Sequence, residues 1–163
     1  MMYSPAFLLL AKSVLDAARE KKLLIATAES CTGGLIAGLL TEIPGSSEVV
    51  ERGFVVYSNR AKEQLLDVPA KAIAEYGAVS EEVALAMATG AVARSDADMA
   101  VAVTGIAGPG GGTALKPVGL VHIAAYRKGY AMLHEVYRFG EIGRTEVRLK
   151  TMEAALKLLR RLL

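Results

Sequence analysis

Leu23-Leu24-Ile25-Ala26-Thr27-Ala28-Glu29-Ser30-Cys31-Thr32-Gly33-Gly34-Leu35-Ile36-Ala37-Gly38-Leu39-Leu40-Thr41 is the stretch on which the fold turns. Leu23 to Ala28 is a short apolar run suited to a buried strand. It stops at the polar, glycine-bearing turn Glu29 to Gly34, and Leu35 to Thr41 continues as a helical segment. Strand, tight turn and helix in this order predict an α/β unit. At such a turn the first N–H groups of the helix point outward unpaired, beside the strand ends where α/β folds place ligands.

The chain on either side repeats that alternation. Ser4 and Pro5 form an N-cap and first-turn pair, and Leu8, Ala11, Val14, Leu15 and Ala18 follow at helical spacing up to Lys21 and Lys22. After the break at Pro44-Gly45, Gly53 to Tyr57 reads as a strand, and Ser58-Asn59 caps a helical stretch through Leu66. Ser80 opens a further helix with Val83, Ala84, Met87, Ala88, Ala91 and Val92 on its apolar side. Met99 to Thr104 is a strand leading into the run Gly105 to Thr113. Gly119 to Tyr126 and Met132 to Phe139 are two more, with a hairpin turn at Gly129. Thr145 to Leu163 closes as a helix with Val147, Met152, Leu156, Leu159 and Leu163 inside. The fold class expected is α/β: a three-layer α/β/α domain over residues 1–163 with a mixed, mostly parallel sheet.

Composition removes several functions. The 163 residues suit one core and one site, and 53% apolar residues without tryptophan leave small aliphatics to build that core. The longest apolar stretches fall well short of the ~18 residues that span a bilayer, and the start Met1 to Pro5 has no basic flank of a leader. A cytoplasmic protein is expected. Cys31 is the only cysteine, so no intrachain disulfide and no thiolate-rich metal site can form. His122 and His134 lie in strands without a carboxylate at triad or ligand spacing, so no metal and no cofactor are expected. A net charge of +2, with Lys157, Arg160 and Arg161 at a helix C-terminus, gives no nucleic-acid footprint.

Two turns could carry chemistry. Ser30 could be no more than the N-cap of its helix; alternatively Thr32, Gly33 and Gly34 offer N–H groups with little bulk, so the turn could hold an anion beside a nucleophile. Cys31 competes for that role, although a lone cysteine after a buried strand is more often a core residue. Gly105 to Thr113 holds five glycines, dense enough to approach an anion through its backbone, yet it fits neither the Walker loop nor Gly-x-Gly-x-x-Gly. Lys62 by itself could as easily be an exposed helix lysine. Arg144 and Arg148, one turn apart, are either solvated or clamp an anion.

Ala28-Glu29-Ser30-Cys31-Thr32-Gly33-Gly34, Tyr57-Ser58-Asn59-x-x-Lys62, Gly77-Ala78-Val79-Ser80, Thr104-Gly105-Ile106-Ala107-Gly108-Pro109-Gly110-Gly111 and Lys116-Pro117-Val118-Gly119 together resemble the CinA carboxy-terminal domain family, the nicotinamide mononucleotide amidohydrolases also called PncC. The resemblance covers nearly the whole chain. It implies conversion of nicotinamide mononucleotide and water to nicotinate mononucleotide and ammonia in pyridine nucleotide salvage, by a deamidase domain without the amino-terminal domain that some members carry. The family usually has Gly-Asp-Arg before the last helix. Here Gly143-Arg144 lacks the acid, while Arg144 and Arg148 both remain.

Hydrolysis of a carboxamide needs a nucleophile, a base, oxyanion donors and an acid for ammonia. With no histidine available, the resemblance points to a Ser-Lys amidase in which Ser30 attacks and Lys62 with Tyr57 moves the proton. Lys62 must then be partly desolvated, or near another cation, to be neutral. Backbone N–H groups from Thr32 to Gly34 would hold the oxyanion. Glu29, Asn59, Thr104, Gly105, Gly108, Gly110, Gly111, Lys116, Arg144 and Arg148 complete the expected substrate-binding set, with the 5'-phosphate going to the glycine loop, Lys116 or Arg144. The competing functions are a non-catalytic nucleotide-binding module and an amidase for another carboxamide. A small-molecule substrate and a homodimer are the expected partners, with neither nucleic acid nor membrane.

Overall fold

Alternation along the central strands sorts the core into two. In the computed structural model, which describes residues 1–163, Ile25, Met99, Val101, Val103, Val121 and Ile123 join one apolar cluster, while Ala26, Ala28, Ala100, Ala102 and Ala124 join another. Successive side chains of a strand take opposite faces, so a sheet bearing apolar residues at both parities must be covered on both sides. Helices α1 (Pro5–Glu20), α2 (Leu35–Thr41) and α6 (Arg144–Arg160) supply the first cluster; α3 (Asn59–Leu66) and α5 (Glu81–Ala93) supply the second.

The strands are β1 (Ile25–Glu29), β2 (Val50–Val55), β3 (Met99–Gly105), β4 (Leu120–Arg127) and β5 (Leu133–Arg138), in spatial order β2-β1-β3-β4-β5. β1 pairs in parallel with both β2 and β3, whereas β3–β4 and β4–β5 are antiparallel. Only β4 therefore runs against the rest, and the expected mixed α/β/α sheet is present. The carboxyl ends of β2, β1 and β3 lie side by side: Glu29 is opposite Val55 on one side and Val103 on the other.

Two elements differ from the sequence expectation. β2 spans Val50–Val55 rather than Gly53 to Tyr57, and beyond its end the Val56 and Tyr57 carbonyls turn to a side chain described below. Helix α4 (Ala70–Tyr76) was not expected, and it contains no buried residue, so it has no apolar stripe to betray it. No helix is long and apolar enough to cross a membrane.

The alanine face of the sheet lets α5 lie close, and α5 in turn meets the end of α3. A Cβ added at Gly90 would stand 1.9 Å from the Leu66 carbonyl oxygen. Alanine normally helps a helix interior, by about 1 kcal/mol over glycine, whereas overpacking costs about 1–3 kcal/mol. A backbone atom cannot swing aside, so the clash wins. Gly90→Ala is expected to lower the free energy of unfolding by roughly 1–2 kcal/mol in a urea titration; an unchanged midpoint would show that α3 and α5 are free to slide apart.

Candidate active site

The turn after β1 is held from both sides. The Ser30 N–H donates to Val103 O at 3.2 Å, and the Val56 N–H donates to Glu29 O at 2.8 Å, so Ser30 is fixed between the ends of β3 and β2. Gly33 and Gly34 then reverse the chain at φ of 59° and 102°, a left-handed region that favours glycine. Ser30 does not cap α2: the N-cap is Gly34, which has no side chain to do it. The cap comes from Glu29. Its fully buried carboxylate accepts from the Ile36 N–H at 2.9 Å, the Ala37 N–H at 3.0 Å and the Thr32 hydroxyl at 2.7 Å. A negative charge among helix-start N–H groups is well placed. Glu29 is therefore no substrate ligand, contrary to the sequence expectation; its carboxylate is occupied beneath the turn.

Lys62 is not an exposed helix lysine. Ser58 caps α3, accepting from the Ala61 N–H at 3.0 Å, which puts Lys62 in the first turn. Helical side chains tilt back toward the N-terminus, and that tilt carries the amine under the β2–α3 junction and across to β1. Lys62 is 1% exposed. Its Nζ lies 3.0 Å from Ser30 Oγ, 3.1 Å from Val56 O and 3.3 Å from Tyr57 O. None of the ion pairs in the molecule includes it. Burial without a carboxylate pushes its pKa below the ordinary lysine value.

The neighbouring thiol is in the opposite condition. Cys31 is buried, and desolvation pushes its pKa up to about 11, so at neutral pH it is a thiol and a poor nucleophile.

Ser30 and Lys62 open onto a crevice of about 280 Å³. Tyr57 and Asn59 line one side of it, and Thr104, Gly105, Gly108, Gly110 and Gly111 line another. Thr104 is buried and donates its hydroxyl to Ala78 O at 2.8 Å, tying the glycine loop to the segment before α5. Arg144 reaches over the crevice from α6, donating to Gly108 O at 2.8 Å and to the Tyr57 hydroxyl at 3.0 Å. These two acceptors orient the arginine at the position where the usual preceding acid is missing. The Tyr57 side chain is 62% exposed, and its contribution at Lys62 is its main-chain carbonyl.

Other expected ligands lie elsewhere. Lys116, expected among the substrate ligands, turns its ammonium to Tyr76 O at the end of α4 and does not line the crevice. Arg148 is bound to the carbonyls of Cys31 and Thr32 behind the turn, at 3.1 Å each. The Gly33 N–H donates to Ser30 O and is unavailable to a ligand; the N–H groups of Cys31, Thr32 and Gly34 make no main-chain hydrogen bond, but of these residues only Cys31 lines the crevice, so the expected oxyanion donors Thr32 to Gly34 lie outside it. The two histidines satisfy each other, His122 Nδ1 and His134 Nε2 being 3.0 Å apart, away from the crevice.

Known proteins share this arrangement of chain. The CinA C-terminal domain profile matches residues 8–163. A CinA-like protein of Akkermansia muciniphila is 56% identical over 127 residues, 77% of this chain and 31% of that protein. One from Geotalea uraniireducens is 51% identical over 143 residues, 88% of this chain and 34% of its own. The chain thus spans about a third of the length of these curated relatives. Among solved structures, the competence/damage inducible protein CihA from Agrobacterium tumefaciens is 52% identical, with a TM-score of 0.97 and coverage of 99% of this chain and 98% of the other. A CinA superfamily protein from Escherichia coli superposes at a TM-score of 0.92 with 34% identity, over 100% and 95% of the two chains. A profile match over nearly the whole sequence, together with these structures, shows that the chain belongs to the CinA C-terminal domain family.

Proposed function

We propose that this protein is an amidohydrolase working through a Ser30–Lys62 dyad, with the carboxamide of nicotinamide mononucleotide as its substrate. The observation that carries the proposal is the buried amine 3.0 Å from Ser30 Oγ with two main-chain carbonyls as its other neighbours. A carbonyl oxygen can only accept. A neutral amine has two N–H bonds and one lone pair, so with both N–H bonds given to Val56 O and Tyr57 O the lone pair faces the serine hydroxyl. The amine is thereby aimed as a base.

The steps then balance without a histidine. Ser30 Oγ attacks the carboxamide carbon as its proton passes to Lys62 Nζ, and the Cys31 N–H, at the crevice wall, is the turn's candidate donor to the oxyanion. The ammonium of Lys62 returns the proton to the amide nitrogen, the C–N bond breaks, and ammonia leaves an acyl ester on Ser30. Water, deprotonated by the regenerated amine, hydrolyses the ester to the carboxylic acid. The pyridinium ring withdraws electrons from the adjacent carbonyl, which suits a modest nucleophile. Arg144 and the glycine loop stand around the rest of the crevice, where a phosphate would find donors.

Ammonia released from a panel of carboxamides, nucleosides and mononucleotides tests this directly, with nicotinamide mononucleotide expected to be the best. Binding of that mononucleotide without any ammonia would instead identify a binding module. Ser30→Ala is expected to abolish turnover while substrate binding persists, and Cys31→Ala to retain most of the activity. A dead but folded Cys31→Ala beside an active Ser30→Ala would transfer the nucleophile to the thiol.

Lys62→Ala is expected to depress turnover by the ~10²- to 10⁴-fold typical of a lost base, and Lys62→Arg to fail also, since arginine keeps its proton at every accessible pH. The sign of the pH dependence follows from the lowered lysine pKa: the inactive form is the protonated one. Activity of the free enzyme should rise with pH and level off above the shifted pKa, below the ordinary lysine value of 10.5. The same rise is expected in Tyr57→Phe; its disappearance there would make the tyrosine hydroxyl the base.

A further inference from the structure

Two of the sequence motifs, Gly77 to Ser80 and Lys116 to Gly119, take no part in the dyad, and the fold brings them together. Between α4 and α5 three successive main-chain carbonyls each accept from a side chain: Tyr76 O from the Lys116 ammonium, Gly77 O from the Ser80 hydroxyl at 2.8 Å, and Ala78 O from the Thr104 hydroxyl at 2.8 Å. None of the three accepts a main-chain N–H. Helix α4, which leads into this strap, contains no buried residue and anchors it weakly from that end.

Thr104 and Lys116 are also the two roots of the glycine loop. Thr104 stands immediately before Gly105, and Lys116 follows the loop at its far end. That far root is itself fixed, the Lys116 N–H donating to the Thr113 hydroxyl at 3.0 Å and the Thr113 N–H to Lys116 O at 2.8 Å. The ammonium meets the last carbonyl of α4, where the helix dipole favours a cation. Gly77 makes this approach possible: its φ is 79°, and a Cβ there would stand 2.7 Å from Lys116 Nζ. Strap and loop are two walls of one crevice, Ala78 and Val79 lining it from the strap and Gly108, Gly110 and Gly111 from the loop. Ser30 and Lys62, on the β1 turn and α3, share no hydrogen bond with either tie.

We infer that Lys116 is a positioning residue for substrate binding: from outside the crevice it clasps the strap to the glycine loop and so sets the gap that the substrate enters. This rests on the proposed function only in placing the substrate in that crevice. A gap set before the ligand arrives needs no ordering on binding, so the clasp acts on affinity and leaves the chemistry at Ser30 alone.

The test compares Lys116→Met, which keeps the stem and loses the ammonium, with Lys116→Arg, which keeps a cation able to reach the carbonyl. For ammonia release from nicotinamide mononucleotide, Lys116→Met should raise KM by about three- to tenfold with kcat within about twofold of the wild type, and Lys116→Arg should recover most of the loss. A lowered kcat at unchanged KM would overturn the inference, and so would wild-type kinetics in Lys116→Met. Direct contact of the ammonium with the phosphate would also raise KM, and the corresponding nucleoside, which lacks the phosphate, separates the two. The same relative loss of kcat/KM on the nucleoside supports the clasp; a loss confined to the mononucleotide makes Lys116 a phosphate ligand and overturns it. Hydrogen exchange at the Gly77 N–H, bonded to Ile73 O at the end of α4, needs no turnover. If the wild type frees no ammonia, the amide assignment fails alone and exchange decides: faster exchange in Lys116→Met, recovered in Lys116→Arg, supports the clasp, and equal rates in all three proteins refute it.

Discussion

An amine kept away from water without a counter-charge is the constraint around which the site is built. Removing an ammonium from water is expensive, so burial lowers the Lys62 pKa, and two main-chain carbonyls accept from the amine. Those carbonyls are available because β2 stops at Val55 and the next two residues leave the ladder. The amine reaches them because Ser58 starts α3 at once, leaving Lys62 in the first turn with its side chain tilted back. The parallel pairing of β1 with β2 sets Ser30 beside that same junction. Strand end, helix cap and strand pairing thus converge on one nitrogen.

The charged groups around the turn divide their work by depth. Glu29, below the turn, holds the start of α2; Arg148, behind it, holds the carbonyls; Arg144, in front, bridges Gly108 and Tyr57 across the opening. None of the three is joined to another in an ion pair. Each charge acts on main-chain dipoles, which gives the turn an electrostatic frame that does not depend on paired side chains. Cys31 shows how local the control is: one residue from Ser30, burial, helped by the Glu29 charge, keeps it a protonated thiol.

Most of the fold was legible because the central strands are short apolar runs buried on both faces and the helices announce their starts. Ser4, Ser58 and Ser80 each cap the helix expected of them. Helix α4 was not legible, since a helix lying on the surface with no buried residue carries no periodic signal. At the site, Ser30, Lys62, Arg144 and the glycine loop meet at one crevice, as the motif resemblance implied. Periodicity alone misleads at Lys62, where an ordinary helical pattern conceals a lysine whose side chain runs backward under a strand end. Glu29, Lys116 and Arg148 misled in the other direction. Their types suit a ligand, but a carboxylate below a helix start, an ammonium on a helix-end carbonyl or a guanidinium among carbonyls depends on contacts 7, 8, 40, 116 and 117 residues away along the chain, which no spacing rule encodes.

The order of elements along the chain gives the site a history. Serine, lysine and glycine loop all precede β4, whereas both arginines come from α6, after the whole sheet. A nascent polypeptide emerging amino end first holds the dyad well before it holds the guanidinium groups that brace the turn and cross its opening. Under the proposed dyad the crevice is therefore completed only when α6 docks on the sheet, and a nascent fragment short of that helix lacks both guanidinium groups that hold the turn and cross its opening.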